Sequence, residues 1–165
     1  AFRVTSPFKI KTKRSKDNIL NTIQKASLIL NQADIEIEIV DIRDISLDLD
    51  YEDRLLLEAI TESISDIPGY NKNGLNLFFI KRNPETGIQI LSGIADFETK
   101  ISLLVDRTDY PDFRVLAHEV GHLLGLEHPD PECPQRSLYL MDAGYLLTEE
   151  ECRTAYEEGL ELSGK

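Results

Sequence analysis

The chain of 165 residues contains no apolar run close to the roughly 20 residues that a membrane-spanning helix needs, so a span of that kind is excluded. It has only two cysteines, Cys133 and Cys152, which excludes a disulfide framework. The pair either closes one loop of about 20 residues, worth roughly 3 kcal/mol, or stands as two separate thiols. Cations are also scarce: 18 Lys and Arg face 30 Asp and Glu, for a net charge of −12. Six of those cations (Arg3, Lys9, Lys11, Lys13, Arg14 and Lys16) open the chain, so the body beyond them is more acidic still. Such a body repels a phosphate backbone, and nucleic acid is not expected as a partner. The basic opening reads as a solvated strand edge, where Lys discourages unwanted pairing. There is no internal repeat, low-complexity tract or Pro/Gly/Ser linker, so residues 1–165 are expected to form a single domain. No hydrophobic leader stands at Ala1, and the compartment is not legible there.

What is present reads as alternating strands and helices. Phe8–Arg14 alternates apolar residues with lysines, as a first strand does. Ile19, Leu20, Ile23, Ala26, Ser27 and Leu30 share one face of a helix that Ser15 can cap. Ile35–Ile39 predicts a half-buried strand, and Leu55–Ile64 a second helix closed by Pro68-Gly69. Leu75–Ile80 is almost wholly apolar, as a central strand is. A turn over Asn83–Gly87 then leads to strands over Ile88–Phe97 and Ile101–Val105. A helix is expected from Asp109 or Pro111. A last one runs over Thr148–Leu160, with Thr148 and Glu151 as its capping box. The expectation is an α+β, layered α/β domain.

All three histidines lie within eleven residues, His118-Glu119-Val120-Gly121-His122-Leu123-Leu124-Gly125-Leu126-Glu127-His128. On a helical wheel that starts at Phe113, the residues Phe113, Leu116, Ala117, Val120, Leu123 and Leu124 form the buried stripe. His118 and His122 fall at about 140° and 180°, opposite that stripe, and Glu119 at about 240°, beside the pair. Two imidazoles one turn apart therefore point into whatever cleft lies above. A catalytic zinc site uses three protein ligands and keeps one position open. His128 can supply the third ligand once the chain turns over the metal. Gly125 permits that turn through a positive φ, and Pro129 and Pro131 stop the helix from resuming. Two exposed histidines and a surface glutamate are the bland alternative for His118, Glu119 and His122; Gly125 and His128 at fixed spacing argue against it.

The segment resembles the zinc-binding motif of the metzincin clan of metallopeptidases, H-E-x-x-H-x-x-G-x-x-H followed by a Met-turn. Val115-Leu116-Ala117, Gly121, Leu124 and Leu126 look most like the matrixin (matrix metalloproteinase) branch. Met141, the only methionine, follows His128 by thirteen residues and matches the Met-turn, a hydrophobic floor beneath the metal. Tyr145 takes the place of the matrixin tyrosine that walls the specificity pocket. For Met141 and Tyr145 alone, ordinary core filling is the alternative. The resemblance covers Phe113 to Leu147. It implies a zincin-like catalytic domain with a mixed, twisted, roughly five-stranded sheet, an active-site helix and a C-terminal helix.

Several residues depart from the pattern. Pro129 stands where matrixins have Ser, and Asp142-Ala143 replaces their aromatic-proline pair. No histidine remains for the matrixin structural zinc, no cysteine-switch propeptide is recognisable, and the later cysteine cluster of archaemetzincins is missing.

The function implied is zinc-dependent endopeptidase activity with one catalytic zinc ion (Zn2+). His118, His122 and His128 would be the ligands, and Glu119 the base that takes a proton from water and delivers it to the leaving amine. The resemblance further implies a peptide or protein substrate bound in extended form along an edge strand, placed within Ile88–Phe97, where Ser92-Gly93 reads as a bulge or a plain loop. It also implies a monomer, and secretion. Asp106, Asp109 and Asp112 are candidate calcium ligands, although capping of the active-site helix and interaction with its dipole are the commoner uses. Cys133 as a nucleophile is set aside because His128 is assigned to zinc. Two rivals stand beside the peptidase. One is a zinc-dependent ribonuclease with a similar three-histidine motif, whose family lacks the equivalents of Glu119 and Met141. The other is a non-catalytic zinc-binding or interaction domain, for which a retained Glu119 has no use.

Overall fold

The computed structural model describes residues 2–10, 12–40, 42–45, 61–62, 67–81, 92–106 and 111–162. The order is β1 (Phe2–Ile10), α1 (Lys16–Leu30), β2 (Ile37–Ile39), β3 (Arg43–Asp44), β4 (Leu75–Ile80), β5 (Gly93–Asp96), β6 (Ile101–Val105), α2 (Asp112–Leu123) and α3 (Glu149–Leu162). The first strand begins and ends earlier than the alternation predicts. Thr12 and Lys13 bind the Asp106 carboxylate instead of continuing a ladder, and Ser15 caps α1 by accepting from Asn18 N–H at 3.1 Å. β4 and β6 match their expected bounds. The Asn83–Gly87 turn, residues 88–91, Asp109 and most of the Leu55–Ile64 helix lie outside the described residues, although Thr61 and Glu62 are helical.

The strands form one mixed sheet in the order β2-β1-β4-β6-β5, with β3 also pairing β1. The β1–β4 and β4–β6 pairs are parallel; β5 alone runs antiparallel, against β6. Parallel strands need crossovers that cover the sheet, which is why β4 and β6 are buried along their whole lengths and read as apolar runs broken only by the buried Asn76 and Ser102. Leu75, Leu77, Phe79 and Leu104 face a core shared with Ile19, Ile23 and Leu30 of α1 and Leu116, Val120 and Leu123 of α2. Phe78, Ile80, Ile101, Leu103 and Val105 form a second cluster. This is an α+β zincin-like architecture, with the two helices side by side on one face of the sheet.

α3 is the last described element, and the predicted capping box is present: Thr148 N–H donates to Glu151 Oε2 at 2.6 Å and Glu151 N–H to Thr148 Oγ1 at 3.1 Å. Cys133 and Cys152 are separate thiols, the latter donating to the Gln32 carbonyl at 3.3 Å.

Candidate metal centre

α2 runs from Asp112 to Leu123 and carries the first two histidines one turn apart. Its C-terminus is closed by a left-handed Gly125 at φ +78°. Gly125 N–H bonds the His122 carbonyl and Leu126 N–H the Gly121 carbonyl, both at 3.0 Å, the paired bonds of a Schellman turn. The chain thereby reverses and brings His128 back over the helix. The three rings gather with centroids 4.8–5.0 Å apart. One ligand atom from each lies within 4.8 Å of the others, the one such cluster among the described residues.

Each helical imidazole is oriented by main chain. His118 Nδ1 meets the Leu140 carbonyl at 2.9 Å, and His122 Nδ1 the Leu126 carbonyl at 2.9 Å. A carbonyl only accepts, so both Nδ1 atoms carry the proton and both Nε2 lone pairs are left for a metal. Burial pushes the His118 pKa down to about 4, and the neighbouring His122, His128 and Arg114 add to the drop against the opposing pull of the Leu140 bond. Burial also lowers His122. Neutral imidazoles of fixed tautomer are the donor set that a borderline divalent cation such as zinc takes.

Glu119 differs from its wheel position. The wheel sets it beside the histidines and off the apolar stripe, yet it is buried. The reason is tertiary: β5 lies directly across it. A Cβ on Gly93 would meet Glu119 Cγ at 2.7 Å, so the strand approaches this closely only as glycine. The Ser92-Gly93 pair is therefore no bulge: the register from Gly93↔Leu104 to Asp96↔Ile101 is unbroken. Burial raises the Glu119 pKa to about 8, with the Arg114 guanidinium pulling the other way.

Met141 is fully buried, its Sδ packed against Gly121 of α2. Tyr145 is 45% exposed rather than a core tyrosine, and its ring stacks on Phe113 with centroids 6.3 Å apart. A cleft of about 690 Å³ opens beside His122, between Ala95 and Phe97 on one side and Thr154 and Glu158 on the other. Of the acidic trio, Asp106 accepts from Lys13 N–H at 2.9 Å and pairs with Arg14 at 3.2 Å, and Asp112 pairs with Arg14 at 2.9 Å. No side chain caps α2, whose N-cap is Pro111; Asp112 sits in its first turn, where the dipole favours an anion. The capping expectation gives way to an ion-pair clamp. Cys133 stands outside the histidine cluster.

Reading the residues alone does not single out Arg114, and it takes Gly93 for part of a bulge or loop rather than for the cover over Glu119. Arg114 does carry a signal, a lone cation one turn before the first histidine.

Residues 16–129 match the sequence profile of the reprolysin-like metallopeptidases, family M12B. No curated protein matches the chain. Among solved structures it resembles a chain of a chaperone–substrate complex, with a TM-score of 0.66 and 16% identity over 99% of its own length. It spans only 35% of that chain. It also resembles an archaemetzincin from Methanopyrus kandleri, with a TM-score of 0.56 and 16% identity over 93% of this chain and 86% of that one. At such identities the likeness is one of fold. The matrixin likeness rests on the motif residues alone.

Proposed function

We propose that this chain, which belongs to the reprolysin-like metallopeptidase family M12B, is a zinc-dependent endopeptidase whose ligands are His118, His122 and His128 and whose general base is Glu119. The observation that carries the reading is the convergence of three imidazoles, two of them locked by main-chain carbonyls, beside a buried carboxyl group. When bound, zinc supplies Lewis acidity that polarises a carbonyl and acidifies a water towards a pKa of about 7. With the cation's charge offsetting the burial that raises its pKa, the ionised Glu119 carboxylate takes the proton from the attacking water as the water oxygen bonds to the scissile carbon. It then delivers that proton to the amine nitrogen as the C–N bond breaks, a role worth roughly 10²–10⁴-fold. Its burial keeps bulk water from competing for the proton.

The substrate is a peptide in extended form, added as a strand along β5, the last strand on its side of the described sheet. Met141 forms the floor beneath the metal, Gly125 brings in the third ligand, and Tyr145 walls the pocket beside the scissile bond, as the matrixin tyrosine does. One catalytic ion suffices, and residues 1–165 act as a single monomeric domain.

The test is cleavage of an unbiased mixture of denatured peptides by the zinc-loaded protein beside Glu119→Ala, with zinc content measured in both. Cutting by the wild type alone supports the reading, and the cut sites report the pocket. If both proteins hold zinc and neither cuts, the peptidase reading fails.

A further inference from the structure

Arg114 is a charged residue 4% exposed, in a helix whose other buried side chains are apolar apart from Glu119. It lies one turn before His118 and about 40° from it around the axis, so the two side chains leave the same side of α2. Its Nε–H donates to the Ala143 carbonyl at 3.0 Å, and an Nη2 hydrogen goes to the Asp142 carbonyl. His118 binds the Leu140 carbonyl of the same turn. Three carbonyls within four residues are thus held by two side chains one helical turn apart.

Farther along, Gln32 of α1 also holds that turn, its Nε2 donating to the Tyr145 carbonyl at 2.7 Å, and the rest of it is fastened to itself. Leu140 N–H bonds the Leu146 carbonyl at 2.7 Å, and Gly144 N–H the Tyr139 carbonyl at 2.8 Å. A Cβ on Gly144 would lie 1.9 Å from the Leu138 oxygen. A turn packed this closely moves as a unit, so whatever anchors residues 142 and 143 also aims the carbonyl of residue 140. The planar guanidinium offers two donors in a rigid fork, which an ammonium lacks.

We infer that Arg114 is a positioning residue of the metal site: by holding the Asp142 and Ala143 carbonyls it fixes the Leu140 carbonyl, which keeps His118 in its Nδ1–H form with Nε2 directed at the ligand cluster. This rests on the proposed assignment of His118 as a ligand. His122 provides an internal control, because its Leu126 partner is set by the Gly125 turn and not by the Met141 loop.

The experiment follows imidazole tautomers by nitrogen-15 NMR in metal-free protein, and zinc affinity by chelator competition, in wild type, Arg114→Met and Arg114→Lys. The expected result is a His118 that loses its single tautomer in Arg114→Met while His122 keeps its own. Zinc affinity should fall about 10–100-fold, the range for loss of an outer hydrogen-bond partner. Arg114→Lys, which keeps the charge without the fork, should fall between; if the Met variant does not fold, the Lys variant carries the same comparison. An unchanged His118 tautomer and zinc affinity overturns the inference, as does a parallel change in His118 and His122, the mark of general loosening. A wild type that takes no zinc sinks the metal assignment instead, and the tautomer readout still decides whether Arg114 holds His118.

Discussion

A Cβ added to Gly121 would sit 2.6 Å from Met141 Sδ, so the sulfur of the only methionine occupies the space that a side chain on the helix between the two histidines would need. Met141 is fully buried and cannot swing away without displacing other core residues. Gly121→Ala should therefore destabilise the protein despite the roughly 1 kcal/mol that Ala gains over Gly in a helix. Overpacking of this kind typically costs about 1–3 kcal/mol. Met141→Ala alone should cost about 2–5 kcal/mol as a cavity. Combined with Gly121→Ala, the two should be far less than additive, because the second change makes room for the first. Urea denaturation of the four proteins checks this, and strict additivity would refute the contact.

The approach of β5 to Glu119 makes a separate prediction. Gly93→Ala places a methyl 2.7 Å from Glu119 Cγ and 2.9 Å from Oε1, which must push either the strand or the carboxyl aside. Peptide cleavage should drop about tenfold or more while zinc affinity stays near wild type, since the atoms nearest the new methyl all belong to Glu119 and not to a ligand. Chelator competition beside a cleavage assay separates the two effects. Equal cleavage by both proteins would show that the strand does not position Glu119.

Glu119 also sets a pH dependence in metal-free protein. Its folded pKa of about 8 exceeds the ordinary 4.5, so the folded state holds a proton that the unfolded state has released. That contribution is complete below about pH 4.5 and is lost as pH rises towards 8. Glu119→Gln removes the loss, so its melting temperature should exceed that of wild type by a margin that widens from about pH 4.5 to 8 and then levels. The full effect should be on the order of a few kcal/mol. His118, pushed down to about 4, acts in the opposite sense: stability falls as pH drops from about 6.5 to 4. Both proteins share that loss, and it cancels in the difference. A margin independent of pH would contradict the buried carboxyl.

Arg14 ties the start of α1 to the start of α2. Its side chain is buried, pairs Asp106 at 3.2 Å and Asp112 at 2.9 Å, and lies over the Phe79 ring at 5.7 Å from the centroid. Arg14→Met should cost about 3–5 kcal/mol, because Asp106, a partly buried anion, is left without this cation. Replacing Asp106 with Asn in that background should recover part of the loss. Chemical denaturation measures both, and a cost below about 1 kcal/mol in the single variant would mark the clamp as incidental.

Much of this was legible in one dimension. The Leu75–Ile80 and Ile101–Val105 runs predict their strands to the residue, because burial on both faces keeps them apolar apart from one buried polar residue each, Asn76 and Ser102. Ser15, Thr148 with Glu151, and Gly125 mark helix ends through bonds that span five residues or fewer, which spacing alone reveals. Phe8–Arg14 misleads for the opposite reason. Residues 12–14 are claimed by Asp106 and Asp112, more than ninety positions away, and alternation carries no trace of such a partner.

The metal centre divides along the same line. Local sequence determined that His118 and His122 share a helix face and that the chain can turn at Gly125 towards His128, because helical pitch and glycine's φ are properties of neighbouring residues. Tertiary structure alone decided which way those imidazoles are held, through the Leu140 carbonyl 22 residues away, and that Glu119 is a buried acid rather than a surface one. The carbonyl that orients His118 and the glycine strand that covers Glu119 come from distant segments, and only packing brings their atoms within reach.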